Sequence, residues 1–416
     1  MDEARRMSAA GGALQSFDCV LDHATLPNGT VASIGIADGR IAAIAPVGER
    51  LQSTECVDLA GALVIPGLVD GHAHLDKTFI GDVWKPHQPG KSGFFSVHER
   101  AAIEQELLAG AAPIEQRAAA LIELAVSQGT TFMRSHVDVD PQLRLRHLDA
   151  VLAARERYRD VISIQVVAFP QRGVISNPGT LELLDEALKQ GCDLVGGLDP
   201  AGFDRDIDGQ LDAVFGLAER HRAGIDIHLH DADFLGTFQL EEIAKRTKAL
   251  AMAGHVAVSH AYALGMVPRP VADRVAEQLA AAGVAIMTNA PGDRPFPPVL
   301  ALRSAGVTVF AGSDNIRDAW WPYGDADMLE RAMLIGYRAG FYTDEELRYA
   351  LDLATGNGAR VLGVSDYGLR VGARADLVAL GARSVPEAVV ARPRQRSVYK
   401  AGVLVARDGD FLKEKR

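Results

Sequence analysis

The feature that most narrows the fold of this chain is an alternation that repeats eight times. Between residues 63 and 314, short apolar runs alternate with longer Ala/Leu/Glu/Arg-rich segments of helical period. The runs are LVIPGLVDGHAH (63–74), TTFMRSHVDV (130–139), ISIQVVAFP (162–170), DLVGGLDPA (193–201), IDIHLHD (225–231), VAVSHAY (256–262), VAIMTNA (284–290) and VTVFAGSD (307–314). Segments such as PIEQRAAALIELAVSQG and FQLEEIAKRTKALAMAG separate them, each closing on a glycine that suits a helix C-terminus. Eight β/α repeats within about 300 residues predict a closed (β/α)8 TIM-type barrel rather than an open doubly wound sheet.

The two ends of the chain have another texture. FDCVLDHATL, TVASIGIA and RIAAIAPV are separated by the turns Asn28-Gly29 and Asp38-Gly39, and the same pattern returns in ADLVALGA (375–382) and SVYKAGVLVARDGDFL (397–412). Asx-Gly turns between β-rich segments predict antiparallel hairpins. A small β-sandwich domain assembled from both ends would reunite these pieces. The expected division is a disordered N-terminus over 1–16, a first β-sandwich part over 17–65, the barrel over 66–366 and a second β-sandwich part over 367–416.

Composition removes several classes of function. The 43 Lys plus Arg against 54 Asp plus Glu leave a net charge of −11, spread along the chain, with one short basic stretch at Arg392–Arg396. That balance argues against nucleic-acid and anionic-membrane partners. No apolar run reaches the length of a membrane span, so a cytoplasmic enzyme is expected. Cys19, Cys56 and Cys192 lie outside any Cys-x-x-Cys spacing and read as reduced packing residues.

Polar residues cluster at the C-terminal ends of the runs: His72 and His74, His136 and Asp138, Asp199, His228 with His230 and Asp231, His260, Asn289 and Asp314. In a barrel these ends form one rim, where barrel active sites sit. His72 and His74 are two apart and leave the same face of a strand, as do His228 and His230. Three neutral imidazoles and a carboxylate, with one position open and no thiolate, describe a site for one divalent ion, Zn(II) or Fe(II). Such an ion makes hydroxide available near neutral pH. His136 and Asp138 either orient a metal-bound histidine or are satisfied core groups. His23, His87, His98, His147, His221 and His255 read as surface or helix residues.

GLVDGHAHLDKTF (67–79), AVSHAYAL (257–264) and AGSDNIRDAWWPYGDADM (311–328) resemble the amidohydrolase superfamily, in its cytosine-deaminase-like branch. QVVAFPQRG (165–173), GCDLVGGLDPAG (191–202), the His-x-His-Asp of 228–231 and SDNIRD (313–318) are similar to members of that branch acting on N-isopropylammelide-type s-triazines. The resemblance implies that His72, His74, His228 and Asp314 bind the metal. It makes Asp314 the acceptor of the water proton, while His260 orients that water or stabilises the oxyanion. Gln171 would contact the heterocycle edge, Trp320 would form an aromatic wall, and Lys77 would polarise a carbonyl or meet developing negative charge. Asp199 would hold substrate or its own loop.

Two departures point away from cytosine. Cytosine deaminases carry a glutamate where this chain has Asp231, beside His230, and a second aspartate where it has Asn315. The resemblance therefore implies hydrolysis of an exocyclic C–N bond of an s-triazine or related pyrimidine, releasing ammonia or an alkylamine, with Asp314, His230 or Asp231 as general acid. Alternatives are a cytosine deaminase proper, a cyclic amide hydrolase and a catalytically silent ligand-binding barrel. The second of these usually bridges two metals with a strand-four lysine, which DLVGGLDPA lacks. The resemblance also favours a homo-oligomer, and the aromatic and glycine content of residues 79–100 suits a lid.

Overall fold

The computed structural model describes residues 16–49, 51–88, 90, 96–292 and 294–412. The expected disordered N-terminus over 1–16 lies outside them except for Ser16, which opens the first strand, and part of the 79–100 segment also lies outside. Among the described residues, eight parallel strands pair in chain order: Leu68–Ala73, Thr130–Asp138, Ser163–Phe169, Leu194–Leu198, Gly224–Leu229, Val256–His260, Ala285–Thr288 and Val309–Ala311. Each overlaps one of the apolar runs. The first, second, fourth and sixth are buried at every residue, as parallel strands covered on both faces must be.

The eighth strand is short, and the cylinder closes just beyond it. The Asp314 N–H donates to the His72 carbonyl at 2.7 Å, and Ala73 and Asp314 form a parallel bridge. Outside the strands, the helices offer apolar residues at three- and four-residue spacing. Leu121, Ile122 and Ala125 of Ile114–Ser127, Leu211, Val214 and Ala218 of Ile207–His221, and Leu240, Ile243 and Ala244 of Asp233–Ala249 share one core with Val137, Val166 and Ile227.

The second sheet is mixed and joins both chain ends. Leu63–Pro66 pairs antiparallel with Leu377–Leu380, which pairs in turn with Arg396–Lys400. Ser16–Thr25 pairs with Val31–Ala37, with Gln52–Asp58 and, at Thr25, with Leu63. Residues far apart across this sheet, Ile34 and Ile41 on one side and Ala379 and Tyr399 on the other, share a core, so the sheet curls over on itself. The run 63–74 thus divides between two sheets. Gly67 is the crossing point, where a Cβ would come within 2.1 Å of the Thr131 hydroxyl. Among the described residues, no helix is long and apolar enough to cross a membrane.

Arg396 fastens the small domain to the barrel. Its guanidinium donates to the Gln128 carbonyl at 2.6 Å and to both Asp327 carboxylate oxygens at 2.8 and 2.7 Å, while Asp327 caps helix Met328–Ala339 through the Leu329 N–H. Removing one partner of a buried ion pair leaves the other charge stranded. Arg396→Ala is therefore expected to destabilise the fold by about 3–5 kcal/mol, read as a lowered midpoint in thermal unfolding. A midpoint equal to that of the parent would show that this clasp contributes nothing.

Candidate active site

Four strand ends, the first, fifth, sixth and eighth, deliver the five residues of the central cluster. Asp314 Oδ1 lies 3.5 Å from His72 Nε2 and 3.4 Å from His74 Nε2. The His72 ring is 4.6 Å from that of His228 and 5.3 Å from that of His260. Two sets of candidate ligand atoms, His72 with His74 and Asp314, and His72 with His228 and His260, each fall within 4.8 Å and share His72. All five side chains are buried.

A hydrogen-bond chain from the barrel interior sets the orientation of His72. Arg134 pairs with the Asp226 carboxylate at 2.9 Å, and the Ser259 hydroxyl donates to the other Asp226 oxygen at 2.7 Å. Ser259 has one hydroxyl hydrogen, so its oxygen must accept from His72 Nδ1, 2.8 Å away. His72 is therefore the Nδ1–H tautomer, and the lone pair of Nε2 faces the cluster. A partner on the far nitrogen of this kind accompanies metal-binding histidines.

The cluster also has the donors that a cation requires. His72 Nε2, both His228 nitrogens and His260 Nε2 are buried without a hydrogen-bond partner. Burial, reinforced by neighbouring histidines, holds His228 and His260 well below the ordinary imidazole range, and burial with the nearby Lys77 charge brings His74 down to about 4. Burial acts to raise Asp314, but His260, His72 and His74 outweigh it and keep the carboxylate ionised. Neutral imidazoles around a carboxylate fit a divalent ion of the zinc or iron type. His136 stacks on His72 at 3.9 Å and lies 3.7 Å from Asp226, in a third overlapping set with His72.

The backbone bends sharply at these ends. His260, Asp314 and Asp199 have φ of 75°, 61° and 36°, a left-handed conformation costing non-glycine residues about 1–2 kcal/mol each. Strain of this kind gathers at functional sites.

Beside the cluster, His230 is paired with Asp199. His230 Nδ1 is 2.9 Å from Asp199 Oδ2, and the backbone N–H of His230 donates to Asp199 Oδ1 at 2.5 Å. Burial acts to lower His230, yet the Asp199 carboxylate raises it above the ordinary range. The His230 ring stacks on His260 at 4.4 Å. Asp231 is engaged elsewhere: its Oδ2 accepts from Gly202 N and Gln239 Nε2, both at 2.9 Å.

A second network surrounds Lys77, which is 1% exposed. Its Nζ donates to Gln171 Oε1 at 2.5 Å, lies 2.9 Å from Asp138 and 3.6 Å from Glu104, and sits 5.2 Å from the Phe169 ring and 5.9 Å from the Trp320 ring. Burial opposes its charge, but Asp138, Glu104 and Asp76 hold it protonated. Burial in turn pushes Glu104 up to about 8 and Asp138 up to about 6. Asn315 donates to Asp318 at 2.6 Å, and burial raises Asp318 to about 7.

The expected residues thus form three neighbouring groups: His72, His74, His228, His260 and Asp314; His230 with Asp199; and Lys77 with Gln171 and Trp320. Asp231 and Asn315 are tied into loops. Reading the sequence missed Glu104, Asp318, Ser259 and Asp226. His147, read as a surface or helix residue, is on a helix but buried, 2.9 Å from Asp76. Its four-residue spacing with Val151 on an apolar helix face was the available signal.

Comparison with known proteins agrees with this geometry. The amidohydrolase family model matches residues 55–406. N-isopropylammelide isopropyl amidohydrolase of Pseudomonas sp. strain ADP is 34% identical over 95% of this chain and 98% of its own length. The crystal structure of N-isopropylammelide isopropylaminohydrolase from Burkholderia multivorans superposes with a TM-score of 0.90 at 42% identity, covering 95% of this chain and 99% of that one. The 5-methylcytosine deaminase of Klebsiella pneumoniae gives 0.84 at 27%, with 95% and 99% covered. The chain belongs to the amidohydrolase family and is a hydrolase of carbon–nitrogen bonds other than peptide bonds.

Proposed function

We propose that this protein hydrolyses the exocyclic C–N bond of an amino- or alkylamino-substituted nitrogen heterocycle, an N-isopropylammelide-type s-triazine before a pyrimidine. The observation that carries this reading is the His230–Asp199 pair stacked against His260, because expulsion of an amine requires a proton donor beside the nucleophile's site. The likeness to the Pseudomonas and Burkholderia enzymes supports the substrate class.

His72, His74, His228 and Asp314 would hold one Zn(II) or Fe(II). When bound, that ion lowers the pKa of water so that hydroxide is available near neutral pH. Asp314 accepts the proton of the attacking water. His260 orients that water and stabilises its oxygen as it adds to the ring carbon, while the π pair of the ring C=N bond goes to the ring nitrogen, which takes the proton from Asp314. His230, held by Asp199, delivers a proton to the departing nitrogen while the new hydroxyl gives its proton to Asp314, so the amine leaves neutral as the carbonyl forms. Gln171 and Lys77 meet the polar edge of the heterocycle, with Trp320 against its face.

The test is amine release by the metal-loaded protein from N-isopropylammelide, ammelide, cytosine, isocytosine and creatinine. Fastest turnover is expected on the N-alkylated triazine. Preference for cytosine would replace the triazine reading with deamination of the cytosine type. Absence of turnover on every member would remove the aminohydrolase reading.

A further inference from the structure

The reaction described above uses Lys77 and Trp320 but not the carboxylate that lies between them. Glu104 belongs to helix Val97–Leu108, whose buried residues are Ala101, Ile103 and Glu104. A glutamate buried on a largely solvent-facing helix must be hydrogen-bonded or paired with a cation. Glu104 is both. The Trp320 Nε1–H donates to Oε2, and Lys77 Nζ lies 3.6 Å from the same oxygen. One oxygen therefore joins the loop after the first barrel strand, a helix outside the barrel and the loop after the eighth.

The arrangement around Lys77 makes this contact distinctive. An ammonium has three donors. Three acceptors, Asp138, Gln171 and Glu104, surround this one. Asp138 is on the second strand and Gln171 follows the third. Glu104 also holds the indole, whose backbone is braced from the other side by Asp318 accepting from Trp320 N at 2.8 Å and Trp321 N at 3.0 Å.

We propose that Glu104 is a positioning residue that aligns Lys77 and Trp320 for binding the heterocycle, an inference that rests on the aminohydrolase reading above. Its hydrogen bond and ion pair among the described residues go to Trp320 and Lys77, not to the metal cluster or the His230–Asp199 pair. Its loss acts on binding of the ring, because the cation and the aromatic wall lose their common anchor together.

The experiment compares Glu104→Gln and Glu104→Ala with the parent enzyme on N-isopropylammelide, or on the best substrate of the panel. Glu104→Ala is expected to raise KM about tenfold or more, as loss of the buried hydrogen bond to the indole together with the contact to Lys77 implies, with metal content unchanged. Glu104→Gln, whose amide oxygen still accepts from an indole, should recover part of that loss. Lys77→Met should add less in the Glu104→Ala background than alone, because the two act as a unit. In a Trp84→Phe, Trp321→Phe background, acrylamide quenching of Trp320 should rise in Glu104→Ala. A purely structural Glu104 would lower the melting temperature and the active fraction while leaving KM unchanged. Parent-like KM and parent-like quenching in both variants would overturn the proposal. Failure of the parent to turn over any panel member would instead sink the reaction, and quenching alone would then decide the role of Glu104.

Discussion

Asp314→Asn is expected to keep the fold while lowering kcat by about 1,000-fold. The fold should survive for a backbone reason: Asp314 has a φ of 61°, and asparagine is among the non-glycine residues best tolerated in that conformation. The amide can still meet Asn289, which donates to Asp314 Oδ2 at 2.9 Å. Only the charge is lost, and with it the ability to take a proton and to balance a cation among neutral imidazoles. Metal analysis of the variant separates the two contributions. Retained metal with lost turnover assigns the loss to proton transfer, and loss of metal assigns it to binding. Parent-like kcat would exclude Asp314 from the chemistry.

Removing the metal is the second perturbation with a large expected effect. Dialysis against a chelator should abolish turnover, and Zn(II) or Fe(II) should restore it. Stability should fall as well, because an ion at about 1,000 times its Kd contributes about 4 kcal/mol to the folded state. His72 belongs to all three candidate ligand sets, so His72→Ala should give a chain that chelator no longer affects. Full turnover in a preparation shown by elemental analysis to hold no metal would overturn this account.

The fold was legible because burial on both faces of a parallel strand leaves a nearly continuous apolar run. The eight runs therefore marked the eight strands, and the His-x-His spacings marked the rim. What stayed illegible depends on contacts distant in sequence. Glu104 reads as one more acid on an acidic helix until the fold brings Lys77 and Trp320 against it. Ser259 and Asp226 lie inside AVSHAYAL and IDIHLHD, yet only their contacts in the fold show that they determine which His72 nitrogen carries hydrogen. Within 63–74 the hydrophobic pattern does not break, although the expected boundary between 65 and 66 lies beside Gly67, where the chain passes from one sheet to the other.

That crossing bears on how the protein can be dissected. The strand carrying His72 continues directly from Leu63–Pro66, which is clamped between Leu377–Leu380 and the end of Ser16–Thr25. A fragment trimmed to the barrel would set the histidine-bearing strand loose at its upstream end. It would also lose the core that Ile34, Ile41, Leu377 and Tyr399 form from both chain ends, and would bare barrel residues such as Leu121 and Val126 that share a core with Val378, Val398 and Val405. Trimming either terminus alone does the same, since neither half of the small sheet completes that core. Truncation libraries and domain swaps should therefore treat the termini and the rim as one inherited unit, with loops on the outer helices as the places where the chain can be cut or extended.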